Sequence, residues 1–219
     1  MKNRCISLAV AAQAMFLFAF CAVPDMHAQS IGIGAGIAVS NDDIAQVTTD
    51  LAAQGWSGLS ENAGIGYYAE LRGRTGGQLA LIGSIGYTHF TETRSQYLNG
   101  GNHTVELMTA QTIIPVTLGA DMRLSEGFLV PYITLEASYN QYYRMFRQAV
   151  DGDFLGTLEY ESSGESRLGA VVGAGLSMDL KLAELAVGGR LHLPNLINAD
   201  EGEKEVYYMQ LGATLFFGM

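Results

Sequence analysis

Nine charged residues stand where a β-strand would aim them into a shared interior: Glu70, Arg72, Asp121, Arg123, Glu136, Arg167, Asp179, Glu184 and Arg190. Glu70 with Arg72, and Asp121 with Arg123, are spaced two apart, which puts both members of a pair on one face of a strand. The set holds five acids and four arginines, the near-balance needed by charges that must pair once they leave water. Such a set can lock an interior as a buried ionic plug, or line a gated path for protons or ions. The plug is the reading we carry forward.

Catalytic chemistry has less to work with. An acyl hydrolase needs a serine near a histidine that a carboxylate orients. His89 is followed by Phe90, Thr91 and Glu92, and His192 by Leu193 and Pro194; neither these nor His103 stands two residues before a serine. We therefore assign no catalytic residue. Acids cluster at Asp42, Asp43, Asp50 and Glu61, at Asp151, Asp153, Glu159 and Glu161, and at Asp200, Glu201 and Glu203. Divalent cations are candidate partners for them, but Asp151-Gly152-Asp153 lacks the ordered oxygen spacing of a dedicated loop. No metal or cofactor site is expected. Arg144 and Arg147 are suited to lipid phosphates or to snorkelling at an interface.

The N-terminus reads as a secretory signal peptide. Lys2 and Arg4 precede an apolar run from Ile6 to Val23, Pro24 ends it, and small residues place the cleavage after position 28 or 30. The expected division is a removed segment, 1–28, and one domain, 29–219. Cys5 and Cys21 both leave with the signal, so the mature chain lacks thiolates and disulfides. Loss of Lys2, Arg4 and Asp25 leaves 10 basic and 21 acidic residues. That balance excludes nucleic acid, whose phosphates require clustered Lys and Arg.

The elements that position the charges are strands. Period-two alternation predicts eight, over 30–40, 62–73, 77–90, 106–124, 127–143, 165–180, 183–194 and 205–218. Each has one apolar row, as in Ile31, Ile33, Ala35, Ile37 and Val39, opposed by Gly32, Gly34 and Gly36. Connections alternate between short (74–76, 125–126, 181–182) and long (41–61, 91–105, 144–164, 195–204). Residues 42–54 have the apolar spacing of a short surface helix. Alternation alone does not tell a membrane barrel from a soluble one whose apolar row faces inward. Three features favour the membrane: mid-strand charges, glycine on the same row as those charges, and aromatics at strand ends (Tyr67, Tyr68, Tyr87, Tyr132, Tyr139, Tyr142, Tyr143, Tyr207, Tyr208, Phe216 and Phe217) as an interfacial girdle.

The final strand adds a motif. Gln210, Gly212, Leu215 and Phe217 resemble the C-terminal assembly signal of bacterial outer-membrane proteins. With the strand count and loop sorting, the whole mature chain resembles the small outer-membrane β-barrel family typified by OmpA and OmpX. That resemblance implies an all-β fold, an eight-stranded antiparallel up-and-down transmembrane barrel in the outer membrane of a Gram-negative bacterium. It implies outer-membrane lipids, lipopolysaccharide and the barrel-assembly machinery as partners. The expected function is non-enzymatic: envelope integrity or surface contact through long acidic extracellular loops. The alternatives are a lipid A-modifying enzyme and a small gated pore.

Overall fold

A computed structural model of the chain describes residues 29–40, 65–99, 103–150, 153–154, 165–197 and 207–218, with side chains described over 29–40, 65–90, 111–143, 166–197 and 207–218. The expected signal peptide, the 42–54 helix and most acidic loop residues lie outside them. Eight staves form the wall: β1 (Gln29–Ser40), β2 (Ile65–Thr75), β3 (Leu79–Asn99), β4 (His103–Arg123), β5 (Leu129–Val150), β7 (Glu165–Asp179), β8 (Glu184–Ile197) and β9 (Tyr208–Phe217). The two-residue β6 (Asp153–Phe154) only extends the edge of β5.

Every stave pairs antiparallel with its neighbours, and β1 pairs with β9 from Ile31↔Phe217 to Ser40↔Tyr208. The β4–β5 pairing completes the circle, so no stave has a free edge. The fold is the closed eight-stranded barrel expected, with no helix among the described residues.

Short turns at 76–78, 124–128 and 180–183 gather with the start of β1 and the end of β9 at one end, here called the turn end. Gly77 and Gly127 adopt positive φ, 109° and 128°, which side-chain-bearing residues rarely do. Lys181 is the one non-glycine described residue with positive φ, and its N–H donates to Asp179 Oδ1 at 2.7 Å. At the opposite, loop end the strands run further than alternation predicts. Residues 91–105 are no long loop: β3 reaches Asn99 and β4 begins at His103, with Asn99↔His103 paired. Part of 144–164 likewise continues β5. Both extensions are rich in polar residues, so an apolar row could not announce them.

Parity sorts the side chains by face. Ile33, Leu71, Leu118 and Leu135 point outward and are 52–65% exposed. Glu70, Arg72, Asp121 and Glu136 point inward and are at most 8% exposed. A soluble protein does the reverse, because water rewards buried carbon and penalises buried charge. This wall is built for a hydrocarbon solvent, and the fold is a closed eight-stranded transmembrane barrel. The aromatic girdle needs correcting in detail. Tyr67, Tyr87, Tyr143, Tyr207 and Phe217 face out, whereas Tyr68, Tyr142, Tyr208 and Phe216 are buried in the lumen. Adjacent residues such as Tyr67 and Tyr68 cannot share a face.

Candidate functional site: the filled lumen

The middle of the lumen holds five charged side chains. Arg72 Nη2 donates to Glu136 Oε1 at 2.8 Å and lies 3.6 Å from Asp121 Oδ1; Arg72 Nη1 lies 4.0 Å from Glu70. Arg190 reaches Glu70 from across the barrel at 2.7 Å. Hydroxyls complete the carboxylates. Thr134 and Thr117 donate to the two oxygens of Glu136, and Thr214 donates to Glu70 at 3.0 Å. Thr117 also meets Ser84 at 2.7 Å. Glu136 therefore has partners at both oxygens, the condition under which a desolvated ion pair holds a fold together.

Six staves supply these side chains: β2, β3, β4, β5, β8 and β9. The other two contribute by having nothing there. A Cβ at Gly34 of β1 would lie 2.7 Å from Glu70 Oε1, and one at Gly173 of β7 would lie 2.7 Å from Thr134 Cγ2. Glycine on the inward row is thus the space into which long charged side chains cross the lumen.

A second ionic group lies at the turn end. Arg74 Nη1 and Nη2 donate to Glu184 Oε1 and Oε2, at 2.9 and 2.6 Å, and Arg123 binds Glu184 Oε2. The Arg74 guanidinium sits 4.3 Å above the Phe216 ring. Together the two groups contain four carboxylates and four guanidiniums. These two groups balance only when taken together: the middle group carries one excess acid, the turn-end group one excess base.

Toward the loop end, Arg167 apart, neutral polar and then apolar side chains follow. His192 Nε2 meets Gln210 Oε1 at 2.9 Å, Gln210 donates to Thr88 at 3.0 Å, and the imidazole stacks on Tyr208 with centroids 4.5 Å apart. Above them Ala38, Phe90, Ile113, Tyr142 and Tyr208 form one apolar cluster, with Phe90 edge-on to Tyr208 at 5.5 Å. On the outer wall His89 contacts Thr112 at 2.9 Å, beside Tyr67 and Tyr87. Neither histidine stands in a Ser–His–carboxylate relay. Among the described residues no group of three or more His, Cys, Asp or Glu forms a metal site.

Of the nine charges singled out from sequence, Glu70, Arg72, Asp121, Glu136 and Arg190 come together in the middle layer, and Arg123 and Glu184 at the turn end. Arg167 and Asp179 join neither group. Arg167 is buried nearer the loop end, opposite Asn140, with Nη1 3.4 Å from the Ser166 carbonyl. Asp179 is exposed and caps its own turn through Lys181, because it is the last residue of β7 and clears the lumen mouth. Arg74 was missed: predicted strand 62–73 stops one residue short, although Glu70, Arg72 and Arg74 continue the period-two row.

The assembly-signal residues also have folded positions. Gln210 and Gly212 face inward, Leu215 and Phe217 outward. Gly212 is paired with Gly36 across the β1–β9 seam, and a Cβ there would overlap the Tyr68 hydroxyl.

No family model matches the chain, and no curated protein sequence does. Among solved structures it is similar in fold to neisserial surface protein A, at 16% identity and a TM-score of 0.49, covering 87% of this chain and 97% of that one. It is also similar to Ail, the attachment invasion locus protein of Yersinia pestis in complex with the heparin analogue sucrose octasulfate (17%, 0.40, 88% and 100%). A third is the outer membrane protein OprG of Pseudomonas aeruginosa (11%, 0.42, 87% and 94%).

Proposed function

We propose that the protein is a non-enzymatic, non-conducting outer-membrane barrel that acts through its loops, in envelope integrity or surface contact. The observation that carries this reading is the filling of the lumen. Ionic groups occupy its middle and turn end, and an apolar cluster lies toward the loop end. An eight-stranded barrel has an interior only wide enough for its own side chains. A hydrated ion crossing this one would have to strip water beside Phe90 and Tyr208 and then part bonded charges.

With the interior occupied, the staves are a rigid frame, and binding falls to the segments they hold at the loop end. The turn end, where short turns collect, faces the periplasm in this reading, after removal of the 1–28 signal. The acidic loop surface is suited to divalent cations bridging to lipopolysaccharide. The assembly machinery would engage Gln210, Gly212, Leu215 and Phe217 before closure, so deletion of 217–219 should lower the yield of folded barrel in membranes.

Two measurements test the reading. Planar-bilayer recording of the purified barrel should give no stable conductance steps; reproducible steps would refute the closed lumen. Mass spectrometry of lipid A from cells with and without the protein should give identical acyl patterns. A gained or lost chain would establish the enzyme instead.

A further inference from the structure

We propose that the turn-end mouth of the lumen binds a phosphate-type oxyanion at Arg74 and Arg123. Two guanidiniums converge there on one carboxylate, so this ion-paired group carries one positive charge in excess, while Glu126, Asp179 and Lys181 stand on the turns outside it. Both oxygens of Glu184 already accept hydrogen bonds from the two arginines, which offset its charge. Arg74 is 7% exposed and held by Glu184 and Phe216. The Arg123 side chain is 30% exposed, binds Glu184 through Nη2 and lines the cavity at this mouth.

A cavity of about 170 Å³ opens there, lined by both arginines, by Glu184, and by Ser30, Gly76 and Gly77. One water needs only roughly 10–15 Å³ by the same measure. Nothing blocks the approach at Gly77, where even an added Cβ would stay 3.8 Å from its nearest neighbour. The planar guanidinium fork matches two oxygens of a phosphate, and the Ser30 hydroxyl adds a neutral donor. The middle layer, with three carboxylates to two guanidiniums, repels an anion from going deeper. Exposed Leu79 and Phe128 place this mouth at the edge of the apolar belt, so the phosphate can come from a lipid headgroup or from solution.

The test titrates inorganic phosphate at constant ionic strength into the purified barrel in non-ionic detergent, following the amide resonances of Gly76 and Gly77. A saturable shift at those residues is expected. Arg123→Gln should weaken binding about tenfold, the usual loss of one charge-assisted hydrogen bond, and Arg123→Lys should weaken it less. Nanodiscs containing phosphatidylglycerol separate the sources. Resonances already at the saturated position without added phosphate identify a lipid headgroup; resonances that move only on adding phosphate identify a free anion. The absence of a saturable shift in both media overturns the proposal. So does undiminished binding by an Arg123→Gln barrel whose electrophoretic mobility shows it folded.

Discussion

The two ionic groups use the same residue types and differ in what surrounds them. In the middle layer every charged side chain is at most 10% exposed, and threonine and serine hydroxyls complete the bonding. At the turn end Arg74 is as deeply buried, but Arg123 stands 30% exposed beside a cavity. Desolvation makes the first group indispensable to itself, since no member can be removed without stranding another. Water relieves the second group of that constraint and leaves a charge available for a partner. Burial, not residue type, separates a brace from a binding site here.

The comparison predicts a graded series, read as unfolding free energy of the barrel in urea with lipid vesicles. Arg72→Ala or Glu136→Ala should cost most, roughly 3–5 kcal/mol, because each leaves a partner charged and unmatched in a closed interior. Equal effects from Arg72→Ala and Arg123→Ala would dissolve the distinction. Leu135→Arg, on the outer wall of β5, should cost about 2–4 kcal/mol in lipid. In a water-facing wall the same change would be nearly silent, so it tests which solvent the exterior was built for.

Removal of Arg123 should cost about 1 kcal/mol or less, since a third of its side chain is already hydrated. A loss as large as that for Arg72 would show the turn-end group to be a structural brace. The smallest effect is expected for Asp179→Ala, within about 0.5 kcal/mol of the parent, because its carboxylate serves one exposed turn rather than the lumen. A large loss there would restore Asp179 to the interior set from which the structure removes it.

Much of the fold was legible before any coordinates. Strands alternate at period two, and a closed wall with carbon outside and charge inside repeats that alternation in every stave. The apolar rows of β1, β4 and β7 therefore located their strands within a few residues. Where the wall continues past the apolar rows, as in 91–99 and 103–105, the signal lapsed. Their residues are largely polar and offer no apolar row to read.

What the residues determined by themselves was the number of staves, which row carries charge, and hence the solvent for which the exterior is made. The first two follow from local alternation, a property of neighbours along the chain, and the third from charge and glycine sharing one row. Which charge meets which was decided only by the closed barrel. Arg74 finds Glu184 and Arg72 finds Glu136 because interstrand register and closure bring residues 110 and 64 positions apart to one level of the lumen. The split of eight balanced charges into an acidic middle and a basic mouth arises the same way. Register is a property of all the pairings at once, and no segment of the chain contains it.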